Sequence, residues 1–240
     1  MLMIHAIAHS IEPGDGSPPY RSNQAPQIES MSIADRLARA PLRTLKAHEQ
    51  LFREGEDKTN IYQVLEGAFV LYRLLPNGRR QVTGFAVSGD MVGLGAGNRH
   101  QCSAECSGKA KVRALPAITL HRMAREDSHL GMRLYDAISQ ELATAQDLLM
   151  TVGRLNACER VATFLLGLSE RNTRALRPAD RIALPMTRCD IADFLGLTTE
   201  TVSRTLTKLT IGKIITRHQG HIRILDGRAL EDVASGERAL

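Results

Sequence analysis

Hydrophobic positions change their period along this chain. From Pro41 to about Met123 apolar and β-branched residues gather in short runs such as NIYQVLEG, AFVLYRLL and QVTGFAV, separated by Gly67, by Pro76-Asn77-Gly78 and by Gly89-Asp90. Short runs closed off by residues that enter turns at little cost predict closely spaced strands in an antiparallel sandwich or barrel. Near Asp127 the period lengthens, and Leu130, Leu134, Ala137, Ile138, Ala145, Leu148, Leu149, Val152 and Leu155 recur at spacings of three, four or seven. That spacing predicts one long amphipathic helix. Its length and its Gln140, Glu141 and Gln146 flanks favour a partner helix, which makes Leu134, Ile138, Ala145, Leu148, Leu149 and Val152 a dimer seam. The alternative, a helix that only covers the sheet, uses the same residues.

A second helix is predicted from about Ala157 to Arg171, followed by a loop at Arg177-Pro178-Ala179-Asp180 and the apolar stretch IALPM. The predicted fold is therefore α+β. Residues 1–30, rich in Pro, Gly, Ser, Asn and Gln, form a flexible arm. Residues 31–126 form an antiparallel β-barrel, 127–156 the dimerisation helix and 157–240 a small C-terminal domain.

That last domain carries the most informative string, TRCDIADFLGLTTETVSRTLTKL. Asp190 to Phe194 has helical apolar spacing, Gly196 breaks it, and Thr198 is placed to cap a second helix starting near Thr199. Ala192 supplies a small residue for close helix approach, Gly196 a turn residue free to take positive φ, and Val202 an apolar residue between two helices. The three together predict a helix-turn-helix. On its second helix Val202, Leu206 and Leu209 share one face, while Thr199, Glu200, Ser203, Arg204 and Lys208 share another. Arg204 has the fork that pairs with guanine and Glu200 accepts from a cytosine amino group, so Glu200, Ser203 and Arg204 are candidate base readers. Thr187, Arg188, Thr199, Lys208, Lys213 and His218 are candidate contacts to the DNA backbone. KIITRHQGHIRIL then reads as two strands joined at Gln219-Gly220, a wing with Arg217 and Arg223 adding positive charge.

Composition agrees without deciding. A net charge of +5 suits nucleic acid but does not require it. Cysteines at 102, 106, 158 and 189 are too scattered for a disulfide framework or a zinc ribbon, so a reducing cytoplasm is expected. The N-terminus has no basic start before its short apolar stretch, and no later segment approaches 18 uninterrupted apolar residues, so neither secretion nor a membrane partner is expected. No Gly-x-Ser-x-Gly, His-Glu-x-x-His, phosphate loop or paired carboxylates are present, which argues against an enzyme.

A strand-rich N-terminal barrel, a long helix and a C-terminal winged helix-turn-helix, over roughly residues 40–228, resemble the Crp/Fnr superfamily of bacterial transcription regulators. Within it LGLTTETVSR, residues 195–204, resembles the FNR and FixK branch, whose recognition helix carries a Glu, two residues, then Ser-Arg. The resemblance implies a homodimer on a palindrome of the TTGAT-N4-ATCAA kind, with Glu200, Ser203 and Arg204 reading each half-site of double-stranded DNA. It also implies contact with RNA polymerase and activation of low-oxygen genes.

The barrel departs from the ligand-gated members. Where cyclic-nucleotide binders resemble one another in a Gly-Glu and a later Arg-Ser or Arg-Thr, this chain has Gly93-Leu94 and Cys102-Ser103, so the phosphate loses its guanidinium and the ribose its carboxylate. Iron-sulfur members use cysteines before the barrel, whereas none precedes Cys102 here, and Arg113 stands at the later ligand position. No cofactor and no metal are therefore expected, and control falls to protein abundance. A barrel gated by a small molecule or haem, with DNA binding subordinate to it, remains the alternative. Cys189, beside Arg188 in the first turn of a helix where positive charge favours thiolate, is a candidate redox site facing DNA; a plain surface position is the alternative.

Overall fold

A computed structural model of the chain describes residues 33–174, 178–218 and 220–240. The N-terminal arm read at 1–30, Arg177 of the loop and Gln219 of the wing lie outside them. After α1 (Ile33–Arg39), eight strands build the barrel: β1 (Leu42–Leu45), β2 (Gln50–Phe52), β3 (Asn60–Glu66), β4 (Ala68–Leu74), β5 (Arg80–Val87), β6 (Met91–Val92), β7 (Ser103–Cys106) and β8 (Ala110–Pro116). They form two antiparallel four-stranded sheets, ordered β1-β8-β3-β6 and β2-β7-β4-β5. The side chains between the sheets, among them Leu45, Phe52, Val64, Phe69, Leu71, Ala104 and Val112, are buried together. Gly67 joins β3 to β4 at φ 82°, and a β-carbon there would stand 2.6 Å from the Lys109 carbonyl oxygen, so only glycine fits that tight connection.

The strand region ends earlier than the sequence suggests. From Ala117 to Glu126 the chain is helical (α2), because Ala117, Leu120 and Met123 at spacing three bury one face, an interval the neighbouring strand-like runs masked. Asp127 then caps α3 (Ser128–Arg154), its carboxylate accepting from the His129 and Leu130 amides at 2.9 and 3.2 Å. One helix of 27 residues results, close to the predicted span.

Three residues of the predicted seam pack within the chain itself. Leu134 packs against the core beneath α1 and α2, Leu148 against the core of the C-terminal domain, and Val152 stands beside Gly196, 3.6 Å from where a β-carbon there would sit. The long helix has two apolar faces, and a single spacing rule merged them. The face left open carries Tyr135, Ile138, Leu142 and Leu149, each more than half exposed, with Ala145 between them. Ile138, Ala145 and Leu149 of the predicted seam are on it.

Asn156 starts α4 (Ala157–Arg174), accepting from the Cys158 and Glu159 amides while Glu159 accepts from the Asn156 amide, a reciprocal cap. There follow β9 (Arg181–Ala183), α5 (Arg188–Leu195), α6 (Thr199–Ile211), the hairpin β10 (Ile215–His218) and β11 (His221–Ile224), and α7 (Gly227–Ala234). The sheet order β10-β11-β9 makes the wing. The helix α7, capped by Asp226 and burying Ala229, Leu230 and Val233 against α4, was not anticipated from the sequence. Its apolar spacing falls within only two turns.

Candidate nucleic-acid interface

Thr187 and Asp190 form a full capping box at the start of α5: the Asp190 amide donates to Thr187 Oγ1 at 3.1 Å, and the Thr187 amide donates to Asp190 Oδ2 at 2.8 Å. Gly196 closes the helix in the left-handed region at φ 64°, and Thr198 Oγ1 accepts from the Thr201 amide to start α6. These are the turn and cap expected from the sequence. Ala192, Val202, Leu206 and Leu209 are buried between the helices, so the opposite face of α6 is fixed outward.

That outward face brings the candidate readers together. Glu200 and Arg204 pair across one turn at 2.5 Å with side chains 70% and 76% exposed. Arg188 Nη1, from the first turn of α5, donates to Ser203 Oγ at 3.4 Å. Thr187, Thr199 and Lys208 are exposed on the same two helices, and the Lys208 ammonium reaches the Leu240 carbonyl oxygen at 3.1 Å. Lys213 and His218 are exposed at the base and end of β10, Lys213 in the left-handed region at φ 55°. Arg223 of the wing is held by Asp180 at 2.8 Å, so less of the wing's charge is open than the sequence suggested. Recognition side chains, a capped helix N-terminus and a basic strand thus share one surface, the layout with which a winged helix-turn-helix reads a major groove and grips the phosphates beside it.

Cys189 is exposed, as expected, but its neighbour is not the expected one. Arg188 turns to Ser203, and the Cys189 thiol lies 3.9 Å from Asp193 Oδ2, one turn along the same helix. The side chain that the thiol meets is therefore acidic rather than basic.

The same head is attached to the barrel through α5. Arg80, at the start of β5, donates to Asp190 Oδ1 and stands 3.5 Å from Asp193 Oδ2, while Gln81 Nε2 donates to the Asp193 carbonyl at 2.7 Å. Burial works against the charge of Arg80, but the hydrogen bond to Asp190 and the charges of Asp190, Asp193 and Glu105 outweigh it, so the guanidinium holds its proton more tightly than a free arginine. Phe85, Phe164 and Phe194 meet with ring centroids 5.3 to 6.1 Å apart, and Arg171 of α4 donates to Asp90, which is fully buried. None of these contacts was visible in the sequence, because those that tie the barrel to α4 and α5 join positions about 80 or more apart.

The barrel segment from Gly93 to Ser103 does not suit a cyclic nucleotide. The His100 ring lies flat on Phe52, with centroids 3.7 Å apart, and burial pushes its pKa below the ordinary value, which disfavours the charged form that would attract a phosphate. Ser103 Oγ already accepts from the Glu54 amide at 3.0 Å, and Arg99 is turned outward to Asp57. Arg113, at the position a cluster ligand would need, donates to the carbonyls of Ala38 and Ala40. Among the described residues no three His, Cys, Asp or Glu side chains stand close enough to hold a metal ion, and no helix is long and apolar enough to cross a membrane.

Comparison with known proteins matches residues 42–127 to the cyclic nucleotide-binding domain and residues 159–233 to the Crp-like helix-turn-helix domain. The chain is 42% identical to the nitrogen fixation regulation protein FixK of Bradyrhizobium diazoefficiens over 78% of its own length and 79% of that protein's. It is 41% identical to the transcriptional activatory protein AadR of Rhodopseudomonas palustris, over 78% of each. The solved structure of FixK2 from Bradyrhizobium japonicum superimposes with a TM-score of 0.75 at 36% identity, covering 81% of this chain and 96% of that one.

Proposed function

This chain belongs to the Crp/Fnr family of transcription regulators, in its FixK-like branch, and from that premise we propose that it binds TTGAT-N4-ATCAA-like palindromes as a homodimer without a small-molecule effector. The observation that carries this reading is the open polar face of α6, where Glu200, Ser203 and Arg204 stand free of the chain's own core. Two such helices related by a two-fold axis read inverted half-sites about one helical turn apart. The exposed heptad-like face of α3 supplies the axis, since Tyr135, Ile138, Leu142, Ala145 and Leu149 recur at three and four residues. Bound upstream of a promoter, the dimer contacts RNA polymerase and activates genes of low-oxygen metabolism.

The unsuitable barrel segment supports effector independence. Fluorescence anisotropy of purified, metal-free protein on the palindromic duplex tests both parts, with and without cyclic AMP. Binding with unchanged affinity in the two conditions is expected. Equal affinity for a scrambled duplex defeats the palindrome reading, and binding only with the nucleotide favours a ligand-gated barrel.

Oxidation of the exposed Cys189 thiol is a second input in this proposal, because sulfinic or sulfonic acid adds negative charge where the DNA backbone passes. Peroxide treatment is expected to lower the DNA affinity of the wild type and to spare Cys189→Ser. Equal loss in both proteins removes the thiol from the account.

A further inference from the structure

The barrel has no ligand task in the function proposed above, yet its β4–β5 side is built into the reading head. Val70, Val82 and Phe85 from the barrel lie in the same buried cluster as Phe194, Leu195, Val202 and Leu209 of the helix-turn-helix. At the edge of that cluster one polar group makes the connection specific. Asp190 is only 7% exposed, and its carboxylate divides its two oxygens between two tasks: Oδ2 accepts from the Thr187 amide and hydroxyl at 2.8 and 2.7 Å, and Oδ1 accepts from Arg80. The carboxylate that caps α5 is therefore also the carboxylate that the barrel holds. Apolar contact alone tolerates sliding, whereas a forked guanidinium across two carboxylates fixes direction as well as distance.

We propose that Arg80 is a positioning residue for DNA reading: by holding Asp190 and Asp193 it sets the angle at which the barrel presents the helix-turn-helix. The contact leaves the reading face untouched, since Glu200 and Arg204 remain more than two-thirds exposed while Arg80 is engaged. It therefore acts as a brace for the DNA-competent arrangement and does not cover the readers. In a dimer whose two heads must meet half-sites at one spacing, the angle of each head decides which spacer is read.

This inference rests on the palindrome reading, and its test separates the two. Wild type, Arg80→Gln and Arg80→Lys are compared on duplexes with spacers of three, four and five base pairs and on a single half-site, alongside hydrogen exchange of residues 188–195. For Arg80→Gln, affinity for the four-base spacer is expected to fall about tenfold, within the usual 5–150-fold range of coupling between sites, with little change on the half-site. Its spacer preference is expected to flatten, and α5 to exchange faster. Arg80→Lys, which keeps the charge but loses the fork, is expected to fall between the two. A variant that merely unfolds loses half-site binding as well, and in that case exchange in the Asp193→Asn protein, which keeps the capping box, decides: unchanged protection of α5 overturns the proposal. Unchanged spacer preference in a folded Arg80→Gln protein also overturns it, as does a gain in affinity, which would make the contact a restraint. Failure of the wild type to prefer any palindrome defeats the function instead, while the exchange difference still reports on the brace.

Discussion

Glu200 and Arg204 hold each other across one helical turn in full contact with water, and an exposed pair of this kind contributes at most about 1 kcal/mol. DNA therefore separates them at small cost, and each side chain is then free for a base edge. Arg204→Ala is expected to lose about 1–3 kcal/mol of binding per half-site and to relax preference at one base position, measured by titrating duplexes with single-base changes. Unchanged preference would remove Arg204 from the readers. The thiols respond to their surroundings in the opposite way. Burial pushes Cys102 up to about 11 from an ordinary 9.0, and pushes Cys106 up as well. Because the folded value is the raised one, the stabilisation is complete below about pH 9 and is lost as pH rises through about 11. Urea midpoints are expected to fall over that window in the wild type and to fall less in Cys102→Ala. At this scale the sequence was informative where chemistry and position coincide, as at Glu200, Ser203 and Arg204. It could not show that Arg188 bonds to Ser203 or that Asp193 stands beside Cys189, since a string lists neighbours along the chain and not the turn of each rotamer.

Among the elements, those with a long period or a cap were legible. The length of α3, the Thr198 start of α6, the Gly196 turn and the wing all follow from local rules that tertiary contacts do not override. The elements missed are short: α1, α2 and α7 each show only two or three turns of pattern. The division of α3 into two apolar faces was also hidden, because Leu134 and Leu148 face inward only once other elements have been packed there. Leu142, 60% exposed, is on the open face and was missed for the same reason. Leu142→Asp is expected to give monomers in sedimentation velocity and to lower palindrome affinity about 10²-fold or more, as linked binding is lost. A variant that remains dimeric would place the seam elsewhere.

For the whole molecule, the buried cluster that runs from β4 and β5 through α4, α5 and α6 leaves no solvent layer between barrel and head. Domains that move independently usually meet through more polar surfaces. Barrel and head are accordingly expected to unfold in one transition, with hydrogen exchange in β5 and α5 lost at the same denaturant concentration; two separate midpoints would show an interface too weak to couple them. The architecture was legible from the order of periods along the chain, but this junction was not, since its contacts join strands near residue 80 to helices near residue 190. The family's plan looks modular when drawn as a line. Arg80 makes the practical unit of exchange a different one: a chimera cut before α4, near Asn156, would carry Asp190 and Asp193 to a new barrel without their cation, leaving a buried carboxylate half-satisfied. A transplantable reading head has to include the β4–β5 hairpin, although more than a hundred residues of unrelated sequence separate the two on the gene.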